Sequence, residues 1–159
     1  MVRMRSNLTD VETFKRSLKY GDVFMLQARE MKTSKSHFLV IVGGDKDNLS
    51  IFRVAISSDL EILKNLTQGA PDDTFVCIRK DEYTKLLYDS YVNCNVISTI
   101  SLGDLFGDAK SFKAQRMPID AKIVNRILDA MHKSKVNSPL LLKKIPKSVD
   151  KRGGQKIFT

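Results

Sequence analysis

Several residue types and motifs are scarce in this chain, and each shortage narrows what it can be. Of its 159 residues only two are cysteine, Cys77 and Cys94. They form no CxxC pair and stand in no His/Cys cluster with zinc spacing, so no zinc site is indicated. Both fall in apolar, strand-like surroundings. Reduced core thiols are the default there, as in a cytoplasmic protein, and a bridge between neighbouring strands is the alternative. No apolar run approaches the roughly 18 residues of a membrane span, so a soluble protein without a membrane partner is expected. The opening MVRMRSNLTD is basic but is not followed by the apolar stretch of a secretory signal. Phosphate-binding and nucleophile-elbow motifs are missing. Gly43-Gly44 leads into acidic turn residues rather than Gly-Lys-Ser/Thr, and no GxSxG occurs. The acidic pairs Asp72-Asp73 and Asp81-Glu82 lie in loop-like stretches without a third ligand, so neither a metal nor another cofactor is expected.

Basic charge is abundant, and it is unevenly placed. The formal net charge is +9. Residues 1–106 carry 14 basic and 14 acidic residues, whereas residues 107–159 carry 13 and 4. The whole excess therefore sits in the last third, which points to an anionic partner there: nucleic acid first, an acidic protein second, plain solubility as the bland alternative.

Periodicity gives the elements. Residues 9–20 predict a helix, with Thr9 or Asp10 as cap, Glu12 at capping-box spacing, and Val11, Phe14 and Leu18 on one stripe. Strands are predicted at 22–28, 37–42, 49–56 and 74–79, the second and third joined as a hairpin through the GGDKDN turn. The first of these is apolar on both parities. A short helix is predicted over 57–68, with Ser57 or Ser58 as cap and Glu61 at capping-box spacing. Residues 89–102, DSYVNCNVISTISL, are rich in β-branched side chains and read as a closing strand pair. The apolar positions then move to Ile100 and Leu102, which reads as a one-residue slip, a bulge or tight turn near Ile97–Ser98. Polar Asp89, Ser90 and Asn93 would line the mouth of a site, or the pair is simply core. Leu102–Phe106 predicts a helical turn. Met117–Ser134 predicts a strong helix with Ile119, Ile123, Ile127 and Met131 on one face. His132, on a surface-facing part of it, is expected to be structural or solvent-facing. Residues 138–145 predict a short docking helix.

This count predicts a mainly β fold with α additions: a small SH3-like antiparallel β-barrel plus C-terminal helices. The expected organisation is a barrel with an N-terminal helix over 1–106, a basic helical extension over 107–145, and a flexible basic tail over 146–159.

Three stretches carry a family resemblance. They are Tyr20-Gly21-Asp22-Val23-Phe24, His37-Phe38-Leu39-Val40-Ile41-Val42 leading to Ile56-Ser57-Ser58, and Asp89-Ser90-Tyr91-Val92-Asn93-Cys94 with Ile97-Ser98-Thr99-Ile100 and Leu105. Over about residues 18–106 the layout resembles the PemK/MazF-like family of small barrels, many of them endoribonuclease toxins. The resemblance implies a barrel, a homodimer, a partner antitoxin and RNA as substrate. Where that family opens its second strand with Arg-Pro, this chain has Ser36-His37.

The chemistry expected under that reading is metal-independent RNA cleavage. It needs a base, an acid and a cation for the phosphorane charge. His37 would be the base or acid, Arg29, Lys32 or Lys35 the cation, and Ser57 or Ser58 a hydrogen-bond donor to phosphate. For His37 the alternative is a half-buried strand-end residue, and for the serines a helix cap. Nucleic-acid contacts are expected from Arg29, Lys32, Lys110, Lys113, Arg116, Lys122, Arg126, Lys151 and Arg152, with Phe112 and Phe158 as interleaved aromatics. The rival readings are a non-catalytic nucleic-acid-binding or regulatory protein that uses its basic extension, and a protein-interaction module for an acidic partner.

Overall fold

The fold is seen in a computed structural model that describes residues 2–27, 36–111 and 114–158, with side chains described from Asp10 onward. Its elements are α1 (Val2–Ser17), β1 (Val23–Gln27), β2 (Ser36–Asp45), β3 (Ser50–Ser57), α2 (Leu60–Leu66), β4 (Phe75–Ile78), β5 (Ser90–Asn93), β6 (Ser98–Ser101), α3 (Leu102–Ser111), α4 (Ala121–Lys133) and α5 (Pro139–Leu142).

The sheet is open. Its strand order is β1-β2-β3-β5-β4, with β6 also beside β3 and every pair antiparallel. The terminal strands β1 and β4 do not pair with each other, so the expected closed SH3-like barrel does not form and the fold is mixed α/β. The outer edge of β1 is occupied differently. Met117 N–H donates to Val23 O at 3.0 Å and Ile119 N–H to Gly21 O at 2.9 Å. That segment, expected as the start of a helix, caps an exposed sheet edge. The helix proper begins after Asp120, whose carboxylate accepts the Lys122 N–H.

Burial explains the architecture. In β2, Val40 and Val42 enter one core cluster while Leu39 and Ile41 enter another. In β3, Phe52, Val54 and Ile56 join the first cluster and Ile51 the second. Strands buried on both faces need a cover on both faces. α4 provides one with Ile123, Val124, Ile127, Leu128 and Met131. On the opposite face Leu18, Leu102 and Leu105 fill the second cluster, and Phe14 of α1 meets Phe106 of α3 with ring centroids 5.3 Å apart.

The 89–102 stretch is one interrupted strand rather than a hairpin. β5 and β6 lie on the same side of β3, with Val92 opposite Ile56 and Ser98 opposite Arg53. An uninterrupted register would place residue 95 opposite Arg53, so three residues bulge out. An odd number reverses the faces, which sends Val92 to the first cluster and Ile100 to the second.

The C-terminal segment, expected as a flexible tail, is docked. Tyr20 N–H donates to Gln155 O and Ile157 N–H to Leu18 O, both at 3.0 Å. Ile157 and Phe158 are buried over Gly44, where a β-carbon would meet Ile157 Cγ2 at 2.7 Å.

Candidate anion-binding surface

The sequence-predicted catalytic group comes together only in part. His37 is half-buried in β2, on the parity of Leu39 and Ile41, and pairs with Leu26 of β1. The β2–β3 register runs Leu39 to Ala55 and Phe38 to Ile56, and its next step brings His37 toward Ser57. Ser57 Oγ accepts the Asp59 N–H at 3.2 Å. Asp59, not either serine, caps α2 by accepting the Ile62 N–H at 3.1 Å. Ser58 is exposed. Lys35, Arg29, Lys32, Phe112 and Lys113 lie outside the described residues. The cleavage reading came with the resemblance to a family of closed barrels; the sheet is open, which contradicts the barrel and with it the toxin and endoribonuclease framing. Asp89 accepts the Lys80 N–H at 2.9 Å, and Ser90 and Asn93 are buried. Among the described residues no group of three His, Cys, Asp or Glu side chains is placed to hold a metal ion.

The predicted nucleic-acid contacts divide between the two faces of the sheet. Lys110 belongs to α3 and sits over the Phe106 ring at 5.9 Å. Lys122 and Arg126 belong to α4, on the other side of the sheet. Arg116 is anchored to the body of the protein on one side of its guanidinium. It donates to the carbonyl and hydroxyl of Ser17 at 2.9 Å, lies 3.6 Å from Asp22, and stacks near Phe14 and Phe24. Arg126 pairs with Glu82 at 2.8 Å, and Arg152 with Asp150 at 3.5 Å. Lys122, Arg126 and Lys151 line an open cleft together with Asp120 and Asp129, so that cleft holds carboxylates among its cations.

Three lysines that sequence reasoning did not select form a better site. Lys135, Lys143 and Lys147 line a cleft of about 430 Å³ with His132, Ser134, Asn137, Pro139 and Leu142. None of these lining residues is acidic. All three lysines are exposed, and none makes an ion pair with a described residue. Their neighbours are neutralised: Lys133 by Asp129 at 3.0 Å and Lys144 by Asp45 at 2.7 Å. The hydrogen bond from Lys144 also holds the Asp45 carboxyl below its usual range, with the Asp47 N–H acting in the same direction.

Buried polar contacts fix the cleft to the sheet. Ser134 Oγ donates to Asn95 Oδ1 at 2.6 Å, and Asn95 Nδ2 donates to Thr74 Oγ1 and Asn93 Oδ1 at 2.8 and 2.9 Å. Asn137 Nδ2 donates to the carbonyls of Cys94 and Met131 at 2.8 and 3.1 Å. The bulged residues between β5 and β6 thus hold the end of α4, from which Lys135 projects. On the other wall His132, expected to be structural or solvent-facing, is half-buried with Nε2 3.1 and 3.2 Å from the Ile145 and Pro146 carbonyls. Those contacts place the turn that carries Lys143 and Lys147. The site is therefore a preset group of cations on rigid supports, suited to multiply charged anions.

No protein-family model matches the chain, and no curated protein does. The PemK/MazF-like resemblance rests on its quoted motifs alone. No helix among the described residues is long and apolar enough to cross a membrane.

Proposed function

We propose that this protein is a non-catalytic nucleic-acid-binding protein that holds the phosphate backbone on the surface formed by Lys135, Lys143 and Lys147. One observation carries the reading: these three cations converge on a cleft with no acidic lining residue, while neighbouring cations are paired. Lysines act as point charges and accept phosphate in many orientations. No Phe, Tyr or Trp lines the cleft, and its one ring, His132, is half-buried and held on the Ile145 and Pro146 carbonyls, so stacking of bases is not the main expected contact. The expected binding is therefore sequence-tolerant and strongly weakened by salt.

Fluorescence anisotropy with a labelled single-stranded RNA and a DNA of the same sequence tests this. The Lys135→Ala/Lys143→Ala/Lys147→Ala variant should keep the wild-type circular dichroism, because all three side chains are exposed. It should lose most of the affinity at low salt. Equal affinity of variant and wild type would refute the assignment.

A further inference from the structure

A second cleft lies between the docked C-terminal segment and the body of the protein. It has a volume of about 240 Å³ and is lined by Lys19, Tyr20, Asp22, Arg116, Gly153 and Gln155 among others. That is just under the roughly 300–1,000 Å³ of drug-sized pockets, which suits a ligand of metabolite size. Two cations and one carboxylate line it, leaving one positive charge in excess.

The carboxylate is already engaged. Asp22 is 1% exposed, accepts the Lys19 N–H at 2.9 Å, and lies 3.6 Å from Arg116 Nε. Arg116 is anchored through Nη1 on Ser17, and its Nη2 has no acceptor among the described residues. A guanidinium fixed on one side with donors left on the other is preorganised for an oxyanion. Lys19 is exposed at the rim and adds the second charge. Pro118, Ile119, Ala121 and Val149 supply an apolar wall, and Gly153 and Gly154, both at positive φ, present a wall of bare backbone.

We propose that this cleft binds a small organic anion, a carboxylate or phosphate monoester on a compact apolar body, held by Arg116 and Lys19 and closed by Gly153–Gln155. Because the closing segment continues into Ile157 and Phe158, such a ligand also fastens the C-terminus to the body. The site is separate from the lysine cleft and does not depend on it.

Two-dimensional NMR of the full chain, titrated with benzoate, phenyl phosphate and the neutral benzamide, tests the proposal. Benzoate or phenyl phosphate should cause saturable shifts at residues 19–22 and 153–155 with Kd below about 10 mM, and benzamide should not. Whichever of the two anions binds more tightly names the headgroup. Hydrogen exchange of the Ile157 amide, bonded to Leu18 O, should slow on binding. Lys19→Ala should weaken binding about tenfold. Ala121→Leu should block the cleft, and if that variant fails to fold, Lys19→Ala decides. The Lys135/Lys143/Lys147 triple variant should bind these anions as wild type does. No saturable shift with either anion, equal binding of benzamide, or affinity unchanged in Lys19→Ala would overturn the assignment.

Discussion

Gly21 has φ 89°, and a β-carbon there would lie 2.6 Å from Val124 Cγ2 and 3.1 Å from Ile119 O. Backbone strain and a clash between β1 and α4 therefore act together. Gly21→Ala should cost about 2–4 kcal/mol in urea unfolding. Asn95 is a second sensitive position. It is 4% exposed and joins Asn93, Thr74 and Ser134. Asn95→Ala should cost about 2–4 kcal/mol, because truncation strands buried polar partners. It should also weaken RNA binding by loosening the end of α4. Asp45 sets a pH response. Its folded-state pKa lies below the ordinary value near 3.8, so its stabilising contribution is present above that value. That contribution is lost as pH falls through the folded pKa. In acid titrations of unfolding free energy, Asp45→Asn should flatten the loss below pH about 4. Charge at this scale was only half legible. Lys143, Lys144 and Lys147 look alike in the sequence, yet among the described residues only Lys144 finds a carboxylate, because Asp45, 99 residues earlier, ends β2 beside it.

The C-terminal segment carries the clearest lesson among the elements. Two glycines and several basic residues read as a solvated tail, whose few apolar anchors are Val149 and, at its end, Ile157 and Phe158. The receptor for Ile157 and Phe158 includes Gly44, whose missing side chain makes the room, and no local pattern links the two. Truncation after Gly154 should cost about 3–6 kcal/mol, the value of two buried apolar side chains, measured by urea unfolding. Individual strands and the β2–β3 hairpin were legible from alternation, β-branching and the turn between them, but whether the sheet closes was not. The run His37-Phe38-Leu39-Val40-Ile41-Val42 is apolar on both parities, which fits a sheet covered on two faces as well as a curved one. Only the helices on both sides decide for the open form. Likewise an irregularity was visible in the sequence near Ile97–Ser98, but its start after Asn93 and its size were not. Three residues rather than one bulge out, because Asn93 and Asn95 bury their amides in a network with Thr74 and Ser134.

Over the whole molecule, the excess charge of residues 107–159 is divided by the fold into a neutralised part and an open part. Arg116, Arg126, Lys133, Lys144 and Arg152 face carboxylates, whereas Lys135, Lys143 and Lys147 line a cleft with no acidic residue among its described lining. The asymmetry was plain from composition, but the division needed the tertiary structure. The central claim is that these three lysines neutralise phosphates. The most direct measurement is the slope of log K against log salt for single-stranded RNA, wild type beside the triple alanine variant. Three lost phosphate contacts should make the slope shallower by about 2. Parallel lines for the two proteins would contradict the account.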